Sequence, residues 1–174
     1  LTKPLGTGVI VSAKKVDACS EELYGQALTT MKQLNKEGAQ IMQDFGVESA
    51  TDVTGFGLLG HALKMAQASD VTMKIYSEQV PVIKGVYDLV DAGCITCSMY
   101  RNQDYVAEHV NFNRDLDINL KMILLDAITS GGLLMAVKPE QVDDVLSSLQ
   151  KAGFAESAVI GEVADKEGFS IIVK

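Results

Sequence analysis

The stretch ATDVTGFGLLGHALKMA, residues 50–66, limits what this chain can fold into more than any other segment. An extended piece ends near Asp52, with Thr51 and Thr54 around it. An apolar helical stripe then begins at Leu58, Leu59, Ala62, Leu63 and Ala66. Gly55, Gly57 and Gly60 fall at the junction. A turn needs one glycine, and a helix start needs one capping side chain. The surplus implies a close approach to the backbone here, by another part of the chain, by an anion or by a metal.

The segments around this junction mix the two periodicities. Residues 5–13 predict a strand, with Pro4 and Gly6 at its mouth. Ser20 is placed to cap a helix whose first turn carries Glu21 and Glu22. Its face (Leu23, Ala27, Met31, Leu34, Gly38) continues to Ile41, Met42 and Phe45, with a break near Asn35 and a stop at Gly46. Residues 48–53 are extended, and 71–76 alternate as a strand. Ile83, Val86, Tyr87 and Val90 define a further helix ended by Gly93. Residues 94–116 read as a polar, irregular connection of unusual length. A short helix at 117–126 precedes TSGGLLMAV, a glycine turn feeding a buried strand. Pro139 opens a helix along Val142, Val145, Leu146, Leu149 and Ala152. Residues 157–164 and 168–173 predict a closing hairpin around Lys166-Glu167-Gly168. Strands mixed with helices and ending in a hairpin predict a mixed sheet with helices packed on it.

Composition narrows the class. At 174 residues and 47% apolar, the chain has material for one globular core. A net charge of −8, with Lys and Arg scattered, argues against a nucleic-acid surface. No apolar run approaches a membrane span, and no basic-then-apolar leader opens the sequence. Three cysteines, an odd number, suggest a reducing cytoplasm rather than a disulfide framework. The chain opens on Leu1 and reaches its first predicted element within ten residues. One domain of a longer protein is the expectation.

Two segments carry chemistry. Asp52 precedes a helix N-terminus, where unpaired N–H groups and the helix dipole favour phosphate. A carboxylate beside phosphate suits Mg²⁺, which takes oxygen ligands and bridges to phosphates. The alternative is that Asp52 caps the helix and the glycines only pack. Likewise Thr129-Ser130-Gly131-Gly132 is either an N–H nest for an anion or a tight turn into a strand. Two such turns, both with hydroxyls, point to one phosphate site. Cys94 and Cys97 form a CxxC, which lacks a second pair for zinc and a redox-type strand before it. His61 either faces the site or is a satisfied structural residue, and Arg101 either grips phosphate or lies on the surface. Met31, Met42, Met65 and Met122 fall on apolar faces as core filling. No nucleophile–base pair stands out, so any catalysis would be completed by groups outside this chain.

TDVTGFGLLGH, followed by a helix and, farther on, by TSGGLL, resembles the C-terminal domain of selenophosphate synthetases (selenide, water dikinases). The opening LTKPLGTG and the closing IGEV are similar too, so the likeness runs from residue 1 to 174. The sequence departs from the family at Ile128, where Gln is common, and at Cys97-Ser98-Met99-Tyr100 before Arg101-Asn102. The resemblance implies the α+β fold of the C-terminal domain of aminoimidazole ribonucleotide synthetase-like proteins. It implies a two-domain homodimeric enzyme, with the N-terminal ATP-binding domain absent from residues 1–174. That enzyme makes selenophosphate, AMP and phosphate from ATP, selenide and water with Mg²⁺. Asp52 would be the metal ligand contributed here, and Thr54, Gly55, Gly57, Ser130, Gly131 and Gly132 walls of the ATP-phosphate site. The reactive Cys or selenocysteine would lie upstream, and the domain alone would be inactive. Two alternatives stand beside this reading: a related synthetase acting on a purine precursor, and a non-catalytic binding or dimerisation domain.

Overall fold

The chain is described over residues 1–174 by a computed structural model. Its organising element is helix α4, Gly57–Ala68, the helix predicted from the glycine junction. Leu58, Leu59, Ala62, Leu63, Met65 and Ala66 are all buried, so α4 is apolar on more than one side. It needs cover all round. On one side lies a four-stranded sheet in the order β3-β6-β2-β5, made of Val110–Phe112, Ile171–Val173, Val71–Ile75 and Gly161–Asp165. On others lie helices α6 (Cys97–Val106) and α7 (Ile118–Leu124) and strand β1 (Ser49–Asp52). Strand β1 pairs antiparallel with β4, Leu133–Ala136, in a separate two-stranded sheet. Helix α1 (Thr7–Lys14) packs with α2 (Glu21–Lys32) and with α5 (Val86–Asp91), which also packs against α7; α3 (Lys36–Asp44) packs with α8 (Val142–Lys151). One core of 32 buried residues runs through most of this, with Val145, Leu149 and Phe154 forming a small second one under α8.

The α+β class and most elements agree with the sequence reading. Ser20 Oγ accepts from Leu23 N at 3.2 Å, capping α2. The break falls between Lys32 and Lys36, and Gly46 turns at φ 64°. Three expectations are corrected.

Residues 5–13 are not a strand. Leu5 makes one bridge to Val82, and residues 7–14 form α1. The β-branched run TGVIV carries strand propensity, but Val9, Ile10 and Ala13 are buried on one face of a helix. The N-terminus of α1 has no local side-chain cap. It is capped from across the chain by Asp126, whose Oδ2 accepts from Val9 N at 3.0 Å. The segment 94–116 is not an irregular connection, since it holds α6 and β3. The inward face of α6 is Met99, Asn102 and Val106. A polar residue at the middle buried position hides the helical stripe. The C-terminal hairpin is also corrected. Strands β5 and β6 do not pair with each other. They flank β2, antiparallel on one side and parallel on the other. Met73 and Ile75 are buried in this central position. The buried Thr72 hydroxyl ties down the connection, donating to Phe169 O at 2.7 Å and accepting from Glu167 N at 2.8 Å.

Asp126 is fully buried, and its desolvation raises its pKa from 3.8 to about 7. The N–H groups of Val9, Gly8 and Ala127 pull the other way, favouring the charged form. Oδ1 nonetheless has no hydrogen bond. The folded state therefore holds this proton more tightly than the unfolded chain does. Its contribution to stability is complete below the ordinary aspartate range and is lost as pH rises towards 7, levelling off above that. The span is on the order of 4 kcal/mol. Urea unfolding of the wild type and Asp126→Asn at pH 4.5 and 7.5 tests this. The wild type should lose more stability than the variant on going up in pH, and equal losses would remove Asp126 as the cause.

Candidate anion and metal site

The antiparallel pairing of β1 with β4 sets Asp52 opposite Leu133, at the end of the ladder. Beyond that pair the two chains run on into the two glycine turns. Val53 N donates to Gly132 O at 2.9 Å, and Ile128 N donates to Thr54 O at 3.0 Å. The structure thus brings together the two segments singled out in the sequence, residues 52–57 and 129–132.

The glycines are needed for this contact. A Cβ on Gly131 would stand 2.0 Å from Val53 O, and one on Gly132 would stand 2.6 Å from Lys3 N. Gly57 has φ 67°, and a Cβ there would come within 2.9 Å of the Leu125 and Asp126 backbone. Gly55 alone among the predicted lining glycines is open: a Cβ there would meet nothing within 4 Å. Packing against other backbone thus accounts for Gly57, Gly131 and Gly132 in the folded chain. Gly55 is left free for close approach from outside.

The hydrogen bonding of the two turns is lopsided in the same way. In the first, Thr54 O accepts from Gly57 N and Ile128 N, and Gly55 O accepts from Asn102 Nδ2 at 3.1 Å. In the second, Ser130 O accepts from Lys3 Nζ at 3.0 Å, Gly131 O from Asn35 Nδ2 at 2.9 Å, and Gly132 O from Val53 N. The carbonyls are thus tied back into the protein. The N–H groups of Thr54, Gly55, Ser130, Gly131 and Gly132 have no acceptor within the chain. Ser130 sits at φ 50°, the left-handed conformation that helps successive N–H groups converge. Gly131 and Gly132 are buried, where an unpaired donor is costly. Tied carbonyls and free donors make a surface complementary to an anion.

Asp52 is exposed, and its carboxylate has no hydrogen-bond or ion-pair partner in the chain. It does not cap α4, which has no side-chain cap. His61 is buried, and its Nε2 lies 3.1 Å from Thr54 Oγ1. Burial lowers its pKa, the Asp52 carboxylate opposes that, and Lys64 adds to it. A neutral imidazole therefore fixes the Thr54 hydroxyl, and its tautomer decides which atom donates. Phe56 packs edge-on to His61 and 5.2 Å from the Tyr105 ring, half-exposed beside the turn.

Arg101 is exposed on α6, while its neighbour Asn102 is buried. Asn102 Nδ2 bridges Gly55 O and Leu125 O, at 3.1 and 2.9 Å. Cys94 and Cys97 are free thiols at the start of α6, and Cys19 is buried. No three His, Cys, Asp or Glu side chains are grouped to hold a metal by themselves. A cavity of about 510 Å³ lies between α8, β4 and β5 with a mainly apolar lining. It includes neither Asp52 nor residues 129–132. Its chemistry does not suit phosphate, and the turns do. Sequence reasoning missed Lys3, Asn35, Asn102 and Asp126. Asn102 had one usable signal, an amide three residues from Met99 and four from Val106 on the same helical face.

The fold and these turns define a class: the chain belongs to the family of AIR synthase related proteins, C-terminal domain, which matches residues 1–174. Its relatives include the selenide, water dikinase of Porphyromonas gingivalis, 43% identical over 168 residues, covering 96% of this chain and 48% of that protein. The chain spans about half the length of the curated relatives it matches. Among solved structures, E. coli HypE has the same fold, with a TM-score of 0.69 at 19% identity over 99% of this chain and 44% of that one. A structure of hydrogenase maturation protein HypE in complex with ATP gives a TM-score of 0.57 at 16% identity, over 94% and 41%. No helix of the chain is long and apolar enough to cross a membrane.

Two substitutions separate the packing roles. Asn102→Ala leaves the buried carbonyl of Leu125 short of a donor and frees that of Gly55, and should cost about 2 kcal/mol. Gly131→Ala forces Val53 and its strand apart, and should cost about 1–3 kcal/mol. Chemical denaturation reads both. A stability unchanged within about 0.5 kcal/mol in either variant would contradict the geometry described.

Proposed function

We propose that this chain is the C-terminal domain of an ATP-dependent enzyme that forms selenophosphate, AMP and phosphate from ATP, selenide and water. The observation that carries the reading is the pair of turns whose N–H groups are free while their carbonyls are bound. Its support also comes from the selenide, water dikinases among the relatives and from the ATP complex of a protein with this fold. In this reading Thr54, Gly55, Ser130, Gly131 and Gly132 donate to phosphate oxygens, and Gly57 allows the first turn its conformation.

Mg²⁺ is part of the proposal, and the residues present fit it as a partial site. Mg²⁺ takes about six oxygen ligands, many from water and phosphate. Asp52 offers one exposed, unpartnered carboxylate at the edge of the donor surface. Further acidic ligands would come from the N-terminal domain. When bound, the ion neutralises and orients phosphate oxygens for transfer. The chain's own work is to orient and exclude. The turns fix the phosphate by backbone donors, which need no reorganisation as charge develops. His61 holds the Thr54 hydroxyl, and Asn102 holds the first turn to the α7 end. The nucleophile and most of the nucleotide pocket belong to the partner domain, and a homodimer in the cytoplasm is part of the same reading.

Phosphorus NMR on the full-length protein with ATP, Mg²⁺ and selenide is the test. Selenophosphate and AMP should appear with the wild type and fall by at least about 100-fold with Asp52→Asn. The 174-residue chain alone should give neither product. No selenophosphate from a folded full-length protein would reject the assignment. Undiminished product from Asp52→Asn would reject only the metal role.

A further inference from the structure

Lys3 is about 2% exposed, among the most deeply buried large side chains of the protein. It has no carboxylate partner. The two ion pairs of the chain are Lys14–Glu21 and Lys74–Glu167. Its ammonium donates instead to two backbone carbonyls, Gln33 O at 2.6 Å and Ser130 O at 3.0 Å. An uncompensated buried ammonium is expensive, and burial pushes its pKa below the usual lysine range. A methionine or leucine would fill the same space at less cost. The position of the charge gives the reason for keeping it. It bonds the carbonyl of the left-handed residue of a turn whose N–H groups have no acceptor within the chain. Asn35 supports the same turn through Gly131 O, while its own Oδ1 is buried without a partner.

We propose that Lys3 is a positioning residue of the anion site: it holds the Ser130 carbonyl inward, so that the N–H groups of Ser130, Gly131 and Gly132 face a bound phosphate whose negative charge compensates the buried ammonium. This rests on the reading of residues 129–132 as a phosphate turn. Two effects combine in it. The bonds to Ser130 O and Gln33 O tie the turn to the α2–α3 junction and set its conformation. The positive charge, held in a low-dielectric interior, also strengthens the pull on an anion across the turn without touching it. A purely structural tie would have the first effect and not the second.

The test is NMR on the full-length protein, 15N-labelled at glycine, serine and lysine and titrated with inorganic phosphate. The amide signals of Ser130, Gly131 and Gly132 should move, and the Lys3 Nζ signal should move in the same titration. Lys3→Met should weaken phosphate binding by about tenfold. If the turn amides respond but Nζ stays still, Lys3 is a structural tie and the inference is overturned, while the phosphate turn stands. The same holds if a folded Lys3→Met binds phosphate as well as the wild type. If the turn amides of the wild type do not respond, the phosphate reading itself fails and takes this inference with it. The Nζ measurement uses the unaltered protein, so it decides the question even if Lys3→Met does not fold.

Discussion

The pairing of Ser49–Asp52 with Leu133–Ala136 is the constraint on which the site depends. Four residues on each side form a ladder isolated from the larger sheet. Its last pair is Asp52 with Leu133, and the contact continues through Val53 N and Gly132 O. A short antiparallel ladder fixes register because a one-residue slip would turn the buried Leu134 outwards. The consequence is that two glycine turns far apart in sequence become one surface. The glycines then serve first to let backbone meet backbone. Gly131 against Val53 O and Gly57 against Leu125 leave no space for a side chain.

The backbone groups of the turns follow a single pattern. Buried and half-buried side chains from α6, from the α2–α3 junction and from the first residues of the chain collect the carbonyls. Asn102, Asn35 and Lys3 each spend donors on main-chain oxygens. Donors left on the turns then have only an outside partner. Side chains behind the turns in this way decide which backbone groups the turns leave free. The same logic places Asp126, a buried carboxyl, at the N-terminus of α1 beside the second turn, and it costs stability at neutral pH. Polar groups of this kind are tolerated where a local geometry depends on them.

Much of this was legible in the sequence, and the failures share a cause. Helix α4 and the extended piece before it followed from the glycines, Asp52 and the stripe at Leu58, Leu59, Ala62 and Leu63. Ser20, the break near Asn35 and Gly46 were local capping and stop signals, and local signals survive folding well. Helix α1 was misread because its β-branched residues favour a strand, while its cap comes from Asp126, in another part of the chain. Helix α6 was hidden because its middle inward residue is Asn102. The closing hairpin was misread because adjacency in sequence suggested pairing, whereas β2 inserts between β5 and β6.

The sequence by itself determined a mixed sheet with helices packed on it, the position of α4, the two glycine turns and the acid, Asp52, at the head of the first one. Each is written in a few neighbouring residues, through propensity, periodicity or the need for a missing side chain. Only the tertiary structure decided that the two turns meet, that Gly55 is the open glycine, that Lys3, Asn35 and Asn102 hold the turns' carbonyls, and that Asp126 caps α1. Those four act on backbone groups distant in the chain. A hydrogen bond to a main-chain carbonyl leaves no pattern in the sequence, because every residue at the accepting position presents the same oxygen.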